Sequence, residues 1–156
     1  MKIKLNYIII PLIAVAVAVS GSLATSANIA SWYSSLTLPS FAPPGQIIGI
    51  VWTALYVLIT ASVLLFWNKS KRDDKFQTIT GIFLVNAFLN AFWSYVFFSL
   101  QQIGLAIFVS SAMALTIYAL IYFIYSRQRI AALLLIPYGL WVTFATYLNY
   151  LIWTLN

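Results

Sequence analysis

Five long apolar stretches dominate this sequence and leave it few ways to fold. Each is close to the roughly 20 residues that an α-helix needs to cross the hydrocarbon core of a bilayer, and they cover about 5–26, 46–67, 76–99, 103–125 and 131–153. Lipid offers no water to backbone N–H and C=O groups, so spans of this length must be helical. The short alternation of a membrane β-barrel is missing. The sequence predicts an all-α integral membrane protein, one domain over 1–156 built as a five-transmembrane-helix bundle.

The composition excludes most kinds of soluble enzyme. Charged residues make up 6% of the chain and hydrophobic residues 63%, whereas about a quarter of a typical soluble domain is charged. The chain has neither Cys nor His, so it offers no thiolate nucleophile, histidine base or Cys- or His-held metal. No predicted span contains a charged side chain, which argues against transport coupled to a titrating group in the bilayer. We therefore expect no metal site and no cofactor.

The placement of the basic residues predicts the orientation in the membrane. All eight lie at the N-terminus or in the second and fourth loops, which places them on one side. Basic loops are retained in the cytoplasm, so the N-terminus should be cytoplasmic and the C-terminus outside, across what we expect to be a bacterial cell membrane. The net charge of +6 is then a topology signal, and no nucleic-acid partner is expected. The eight basic residues are Lys2, Lys4, Lys69, Lys71, Arg72, Lys75, Arg127 and Arg129.

The two ends of the first span allow further interpretations. Lys2 and Lys4, an apolar run and the small residues at 20–24 also fit a cleavable signal peptide. The loop that follows, about 27–45, is long and uncharged yet rich in apolar side chains such as Trp32 and Phe41. A solvated loop would be polar, so we expect this loop to pack onto the helix ends as a lid.

Aromatic and amide side chains collect in the outer half of the predicted bundle. At 1.5 Å per residue, Trp52 lies roughly 10 Å below the outer surface. Asn90 and Trp93 share one face of the third helix, and Trp141 and Asn149 share one face of the fifth. This layout predicts a cavity for a flat, largely apolar ligand. Two alternatives stay open: the amides, Asn86 included, as hydrogen bonds between helices, and Trp52 and Trp141 as packing residues.

Several segments resemble the TspO/MBR family, the translocator proteins also called tryptophan-rich sensory proteins or peripheral-type benzodiazepine receptors. The resemblance covers roughly 28–153. It rests on WYSSL at 32–36, PSFAPPG at 39–45, NAFLNAFWS at 86–94, PYGLW at 137–141 and FATYLNY at 144–150. Two features depart from the family pattern: Phe41 stands where many members have Trp, and no basic residue follows Tyr150, so the animal cholesterol motif is incomplete.

The resemblance implies a function as well as a fold. Members form five-helix bundles, usually homodimers in the lipid membrane, and bind porphyrins such as protoporphyrin IX and lipophilic drug-like ligands. We therefore expect a porphyrin-binding receptor or sensor. The alternatives are passive transport of tetrapyrroles and light- and oxygen-dependent degradation of protoporphyrin IX, reported for some bacterial members, in which the matching Trp52 and Trp141 would take part. Carried over by motif position, the ligand-binding residues are Tyr33, Pro43, Trp52, Asn90, Trp93, Trp141 and Ala145.

Overall fold

The computed structural model describes residues 4–156 and is built from five long helices. Each of the five is long and apolar enough to cross a membrane, which confirms the predicted fold class. Lys2, one of the predicted topology residues, lies outside the described part of the chain. The helices are α1 (Asn6–Asn28), α2 (Gly45–Lys69), α3 (Asp74–Ser94), α4 (Ile103–Tyr125) and α5 (Arg129–Leu155).

The prediction of a long first loop is wrong, because helical structure continues well beyond the end of the first predicted span. A π-helical turn, Ile29–Tyr33, follows α1 directly, and only 36–44 lack regular helix before α2. No Gly or Pro interrupts the sequence between Gly21 and Pro39. Serine hydroxyls also bond back to the preceding turn, as in the 2.7 Å bond from Ser35 Oγ to the carbonyl of Trp32. The remaining short connection, 36–44, is called the first loop below.

The bundle is packed most tightly between α4 and α5. Side chains on this seam are buried, including Met113, Leu120 and Leu135. A Cβ at Gly139 would lie 3.2 Å from a ring carbon of Tyr118, so a small residue is needed for the two helices to approach this closely. By contrast, no described side chain of α1 is fully buried. Helix α1 is therefore the most weakly enclosed of the five.

The two ends of the bundle differ in charge. The α2–α3 and α4–α5 connections meet at one end, where Arg127 Nη2 donates to both oxygens of Asp73 at 2.9 and 2.7 Å. Asp73 also caps α3, since its Oδ1 accepts from the backbone N–H of Phe76 at 2.9 Å. We call this the basic end and the opposite one the neutral end. The ion pair fixes the two connections relative to each other.

Asp73 should make the stability of the bundle depend on pH. Hydrogen bonds from Arg127, and then from the Phe76 N–H, hold the pKa of its carboxyl below its ordinary value of 3.8. A lowered folded-state pKa contributes stability that is complete above the unfolded-state pKa and is lost as pH falls through the folded-state pKa. We expect Asp73→Asn to lower the melting temperature at about pH 6 and the difference from the parent to shrink from about pH 4 downward.

The matched control is Asp74→Asn, one residue along in the first turn of α3. Asp74 is exposed, and the ion pair found among the described residues involves Asp73. The melting temperature of the Asp74→Asn variant should follow that of the parent across the same pH range. If Asp73→Asn stayed below the parent by a constant amount down to about pH 2, the carboxylate charge would not be the source of the stability.

Candidate functional site

A cavity of about 450 Å³ lies in the half of the bundle toward the neutral end. All five helices and the first loop contribute to its wall, and we call it the main cavity. Its size falls within the usual range for small-molecule sites. The structure brings all seven predicted ligand-binding residues to this one wall: Tyr33, Pro43, Trp52, Asn90, Trp93, Trp141 and Ala145.

The wall of the main cavity has no formal charge. Among the described residues that line it, none is acidic or basic, and no group of acidic, His or Cys side chains in the described chain could hold a metal ion. Aromatic faces form much of the surface. Trp93, for example, stacks on Phe97 with ring centroids 5.3 Å apart, and both line the cavity. A ligand here would be held by stacking and hydrogen bonds rather than by ion pairs.

Three hydrogen-bond donors on this wall have no partner. The indole Nε1 atoms of Trp93 and Trp141 and the amide Nδ2 of Asn149 are buried, and none makes a hydrogen bond within the described chain. A buried donor without an acceptor costs about 1–3 kcal/mol, so native structures rarely leave three around one space. All three groups donate, so the wall is complementary to a ligand that presents acceptors such as carbonyl, carboxylate or ring nitrogen.

Two π-helical turns widen the backbone beside the cavity. One is Ile29–Tyr33, and the other, Tyr95–Ser99, extends α3. The turns face each other, since the Tyr33 ring lies 5.7 Å from that of Phe98 and 6.1 Å from that of Phe97. Such turns are rare and frequently occur at functional sites. The lining residues Phe97 and Phe98 could not be predicted from sequence, because nothing in an apolar span indicates a change from α to π geometry.

Helix α1 closes the remaining side of the cavity, which the sequence analysis also missed. Gly21, Ser22 and Thr25 line it, and a Cβ at Gly21 would lie 3.2 Å from Ser94 Oγ on α3. The close approach of α1 and α3 at this point therefore depends on the glycine. The family resemblance begins at about residue 28, so in this part of the sequence only the small residues at 20–24, which also fit a signal peptide, indicate a close contact.

Asn86 and Asn90 belong to a buried hydrogen-bond network that joins four helices. Tyr56 donates to Asn90 at 2.8 Å, Asn90 donates to the Tyr138 hydroxyl at 3.1 Å, and Tyr138 donates to Asn86 at 2.9 Å. Asn86 then donates to Thr116 at 2.8 Å. Asn86 does not line the main cavity, and its role is the predicted hydrogen bonding between helices. Asn90 both lines the cavity and belongs to the network, so its oxygen and one of its N–H groups are already bonded.

The first loop lies across the neutral end of the bundle and is tied to α5. Asn156 accepts from the backbone N–H of Thr37 at 2.9 Å and donates to its carbonyl at 3.1 Å. Phe41 stacks on Tyr147 with ring centroids 6.4 Å apart, and Pro43 reaches the cavity wall. The loop is therefore shorter than predicted but still contributes to the cover over the site.

Trp67 and Trp153, two of the six tryptophans, lie apart from the main cavity. Trp67 lies at the basic end beneath Arg72, whose guanidinium carbon is 4.5 Å from the centroid of the indole ring. Trp153 is 53% exposed. Neither lines the main cavity, which separates both of them from Trp52, Trp93 and Trp141.

Comparison with known proteins places this architecture in a family. The model of the TspO/MBR family matches residues 8–154. The chain is 39% identical over 126 residues to the tryptophan-rich protein TspO of Bacillus cereus, an alignment that covers 81% of each chain. It is 35% identical over 130 residues to the human translocator protein, covering 80% of this chain and 75% of the relative. It is 28% identical over 142 residues to protein CrtK of Rhodobacter capsulatus, an alignment that covers 91% of this chain and 89% of the relative.

Proposed function

The chain belongs to the TspO/MBR family of membrane proteins, and from this membership and the geometry of the main cavity we propose that it is a receptor or sensor for porphyrins. The observation that supports this most is the set of unpaired donors, Trp93 Nε1, Trp141 Nε1 and Asn149 Nδ2. All three residues line an uncharged, aromatic-lined space of about 450 Å³. A porphyrin is flat and largely apolar, has ring nitrogens and can carry carboxylate side chains that accept hydrogen bonds. Because the described wall has no charge, a carboxylate of the porphyrin would be held there by these donors and not by an ion pair.

The test is a titration of the purified protein with protoporphyrin IX in the dark, followed by illumination in air. We expect saturable quenching of tryptophan fluorescence at one porphyrin per chain, and competition by a lipophilic isoquinoline carboxamide. Binding without new absorbing products and without porphyrin flux across vesicles supports a receptor or sensor. Quenching that rises linearly with porphyrin and never saturates would indicate partition into detergent and would contradict the proposal.

Light-dependent degradation is the second candidate, and the position of two oxidisable indoles favours it. Trp52 and Trp141 both line the main cavity, so a bound porphyrin would lie beside them. The chain has no His or Cys and the described cavity wall has no acid or base. Reactivity would therefore come from the excited porphyrin and dissolved oxygen, with the tryptophans quenching or sharing the oxidation. Passive transport, the third candidate, would appear as flux in the vesicle measurement.

Replacing Trp141 or Trp52 with Phe separates these roles. The change keeps apolar area and stacking but removes the indole N–H, a hydrogen-bond donor. For Trp141, whose Nε1 is unpaired, porphyrin affinity should fall by about 0.5–1.5 kcal/mol, the value of one hydrogen bond. Any light-driven degradation should fall much further in both variants, because indole is more easily oxidised than benzene.

Trp67→Phe is the control for both measurements, since Trp67 does not line the main cavity. It should bind porphyrin and support any degradation as the parent does. Equal affinity and equal degradation in all three variants would mean that these tryptophans are packing residues and that the porphyrin binds elsewhere.

We also propose that the basic end faces the cytoplasm of a bacterial cell and the neutral end faces outward, following the positive-inside rule. Single Cys residues can test this because the chain contains none. Ser126, at the basic end, and Ser35, near the first loop, are both exposed. A Cys at Ser126 should react with an impermeant maleimide only in inverted vesicles, and a Cys at Ser35 only in intact cells. Labelling of both from the same side would exclude the proposed topology.

We further propose that the chain forms the homodimer that the family resemblance implies.

A further inference from the structure

A second, smaller cavity lies toward the basic end, between α1, α2 and α3. Its volume is about 120 Å³, and we call it the minor cavity. Its wall is formed mainly by aliphatic and aromatic side chains such as Ile13, Val63 and Phe83. Among the described residues, Tyr56 and Asn90 are the only ones that line both the minor and the main cavity. The minor cavity serves none of the functions proposed above.

Every hydroxyl and amide side chain on the described wall of the minor cavity makes at least one hydrogen bond, in contrast to Trp93 Nε1, Trp141 Nε1 and Asn149 Nδ2 on the wall of the main cavity. Thr60 and Thr80 donate to the carbonyls of Tyr56 and Phe76 at 2.7 and 2.8 Å. The hydroxyls and amides of its other polar residues are paired in the hydrogen-bond network described above. A cavity of this size lined by apolar groups stays dry and accepts apolar ligands. Its preferred occupant is therefore a hydrocarbon without hydrogen-bonding groups.

The wall of the minor cavity reaches the lipid-facing surface. Ile13 and Leu84 line it and are 40% and 55% exposed. Helix α1, which forms this side, has no fully buried described side chain. In a membrane these surfaces contact acyl chains, so a lipid tail can enter from the side between α1 and α3 without passing through water.

A fixed cation stands at the end of the minor cavity nearest the membrane surface. Arg72 lies over two rings, with its guanidinium carbon 3.9 Å from the centroid of Phe76 and 4.5 Å from that of Trp67. Its Nη2 also donates to the Trp67 carbonyl at 2.7 Å, and Trp67 lines the cavity. No carboxylate of the described chain pairs with Arg72. A guanidinium has five N–H donors, so donors remain for a phosphate, which it binds well.

From these features we propose that the minor cavity holds a segment of a few carbons from one acyl chain of an anionic phospholipid whose phosphate is held by Arg72, since about 120 Å³ is close to the space that a benzene-sized group fills. The largely apolar wall selects a hydrocarbon chain, and the stacked guanidinium selects a phosphate at the depth where lipid head groups lie. Lys69 and Lys71 flank the same connection and add attraction for an anionic head group over a zwitterionic one.

The test is native mass spectrometry of the delipidated, purified chain with added phosphatidylglycerol or phosphatidylcholine of identical acyl chains. We expect one phosphatidylglycerol per chain to be retained with an affinity about tenfold above that of phosphatidylcholine. Both lipids offer a phosphate to Arg72, but the choline cation cancels the head-group charge and is repelled by Arg72, Lys69 and Lys71. Arg72→Gln should reduce this preference to about twofold or less, whereas Lys75→Gln, an exposed charge three residues along, should keep it.

Filling the minor cavity with a larger side chain tests whether the lipid acyl chain lies there. Ala14 lines the minor cavity, and Ala16, two residues along α1, is exposed and lines neither cavity. Ala14→Phe should weaken phosphatidylglycerol binding about tenfold, and Ala16→Phe should leave it unchanged. Ala14→Phe should still bind protoporphyrin IX in the main cavity, which also serves as the check that it is folded. If it does not fold, Val63→Phe on α2 fills the same space.

Two results would overturn the proposal. One is equal retention of the two lipids by the parent protein. The other is parent-like phosphatidylglycerol binding in a folded Ala14→Phe or Val63→Phe variant. If the parent protein did not bind protoporphyrin IX but still preferred phosphatidylglycerol, the proposed function would be wrong and the proposal of a lipid site would stand.

Discussion

Replacing Ala145 with Phe is expected to weaken protoporphyrin binding about tenfold to a hundredfold, which corresponds to the 1–3 kcal/mol that overpacking typically costs. Ala145 lines the main cavity on the same face of α5 as Trp141 and Asn149, one helical turn from each. A phenyl ring at this position would occupy the space between the unpaired indole N–H and the unpaired amide. The measurement is the dark titration, with the melting temperature as the check on folding.

Ala54→Phe is the matched control for this change. Ala54 lies on α2 at about the same depth, is exposed to lipid and lines neither cavity. It should bind protoporphyrin like the parent. If Ala145→Phe bound as tightly as Ala54→Phe while both remained folded, the ligand could not occupy the part of the main cavity beside α5.

Tyr138→Phe should produce the largest loss of stability of any single-atom change in the bundle. The hydroxyl of Tyr138 accepts from Asn90 and donates to Asn86, and all three side chains are buried. Removing this oxygen leaves a donor and an acceptor unpaired. Each unpaired group costs about 1–3 kcal/mol in proteins generally, while measured hydrogen bonds in membrane bundles average about 0.6 kcal/mol. We therefore expect a loss of about 1–3 kcal/mol, measured by unfolding in mixed micelles with increasing sodium dodecyl sulfate.

The control for Tyr138→Phe is Tyr122→Phe on α4. Tyr122 is 76% exposed to lipid, and its hydroxyl makes no hydrogen bond within the described chain, so its loss should change stability little. A Tyr138→Phe variant as stable as Tyr122→Phe would mean that the network relaxes and pairs Asn86 with Asn90 directly. Ligand affinity should respond as well, because the network fixes the amide of Asn90 at the cavity wall.

The helices could be predicted from sequence because lipid permits so few alternatives. A run of about 20 apolar residues in hydrocarbon must be helical, and charged residues mark where the apolar runs of the second, third and fifth spans stop at the basic end. The observed helices differ from the predicted spans by a few residues, as at Arg129, where α5 begins. Counting residues from the ends of the spans also allowed Trp52, Trp93 and Trp141 to be placed in the outer half of the bundle. All three line one cavity.

Features that depend on contacts between helices could not be predicted in the same way. The chain between Gly21 and Pro39 looked like a span followed by a loop, because its apolar run stops near 26, yet it stays helical through a π turn. The pairing of Asn90 with Tyr56 and Tyr138 depends on the rotation of three helices about their axes. Periodicity shows that Asn86 and Asn90 share a face, but it does not show which of them reaches a cavity.

The central claim, that a porphyrin occupies the main cavity, is tested most directly by ¹⁹F NMR of the protein labelled with fluorotryptophan. The six tryptophans can be assigned by single replacements with Phe, and a porphyrin shifts nearby fluorine signals through its ring current. Adding protoporphyrin IX in the dark should shift the signals of Trp52, Trp93 and Trp141 and leave that of Trp67 at the basic end unchanged. A shift at Trp67 or Trp153, with those three signals unmoved, would place the porphyrin outside the main cavity and contradict the proposed function.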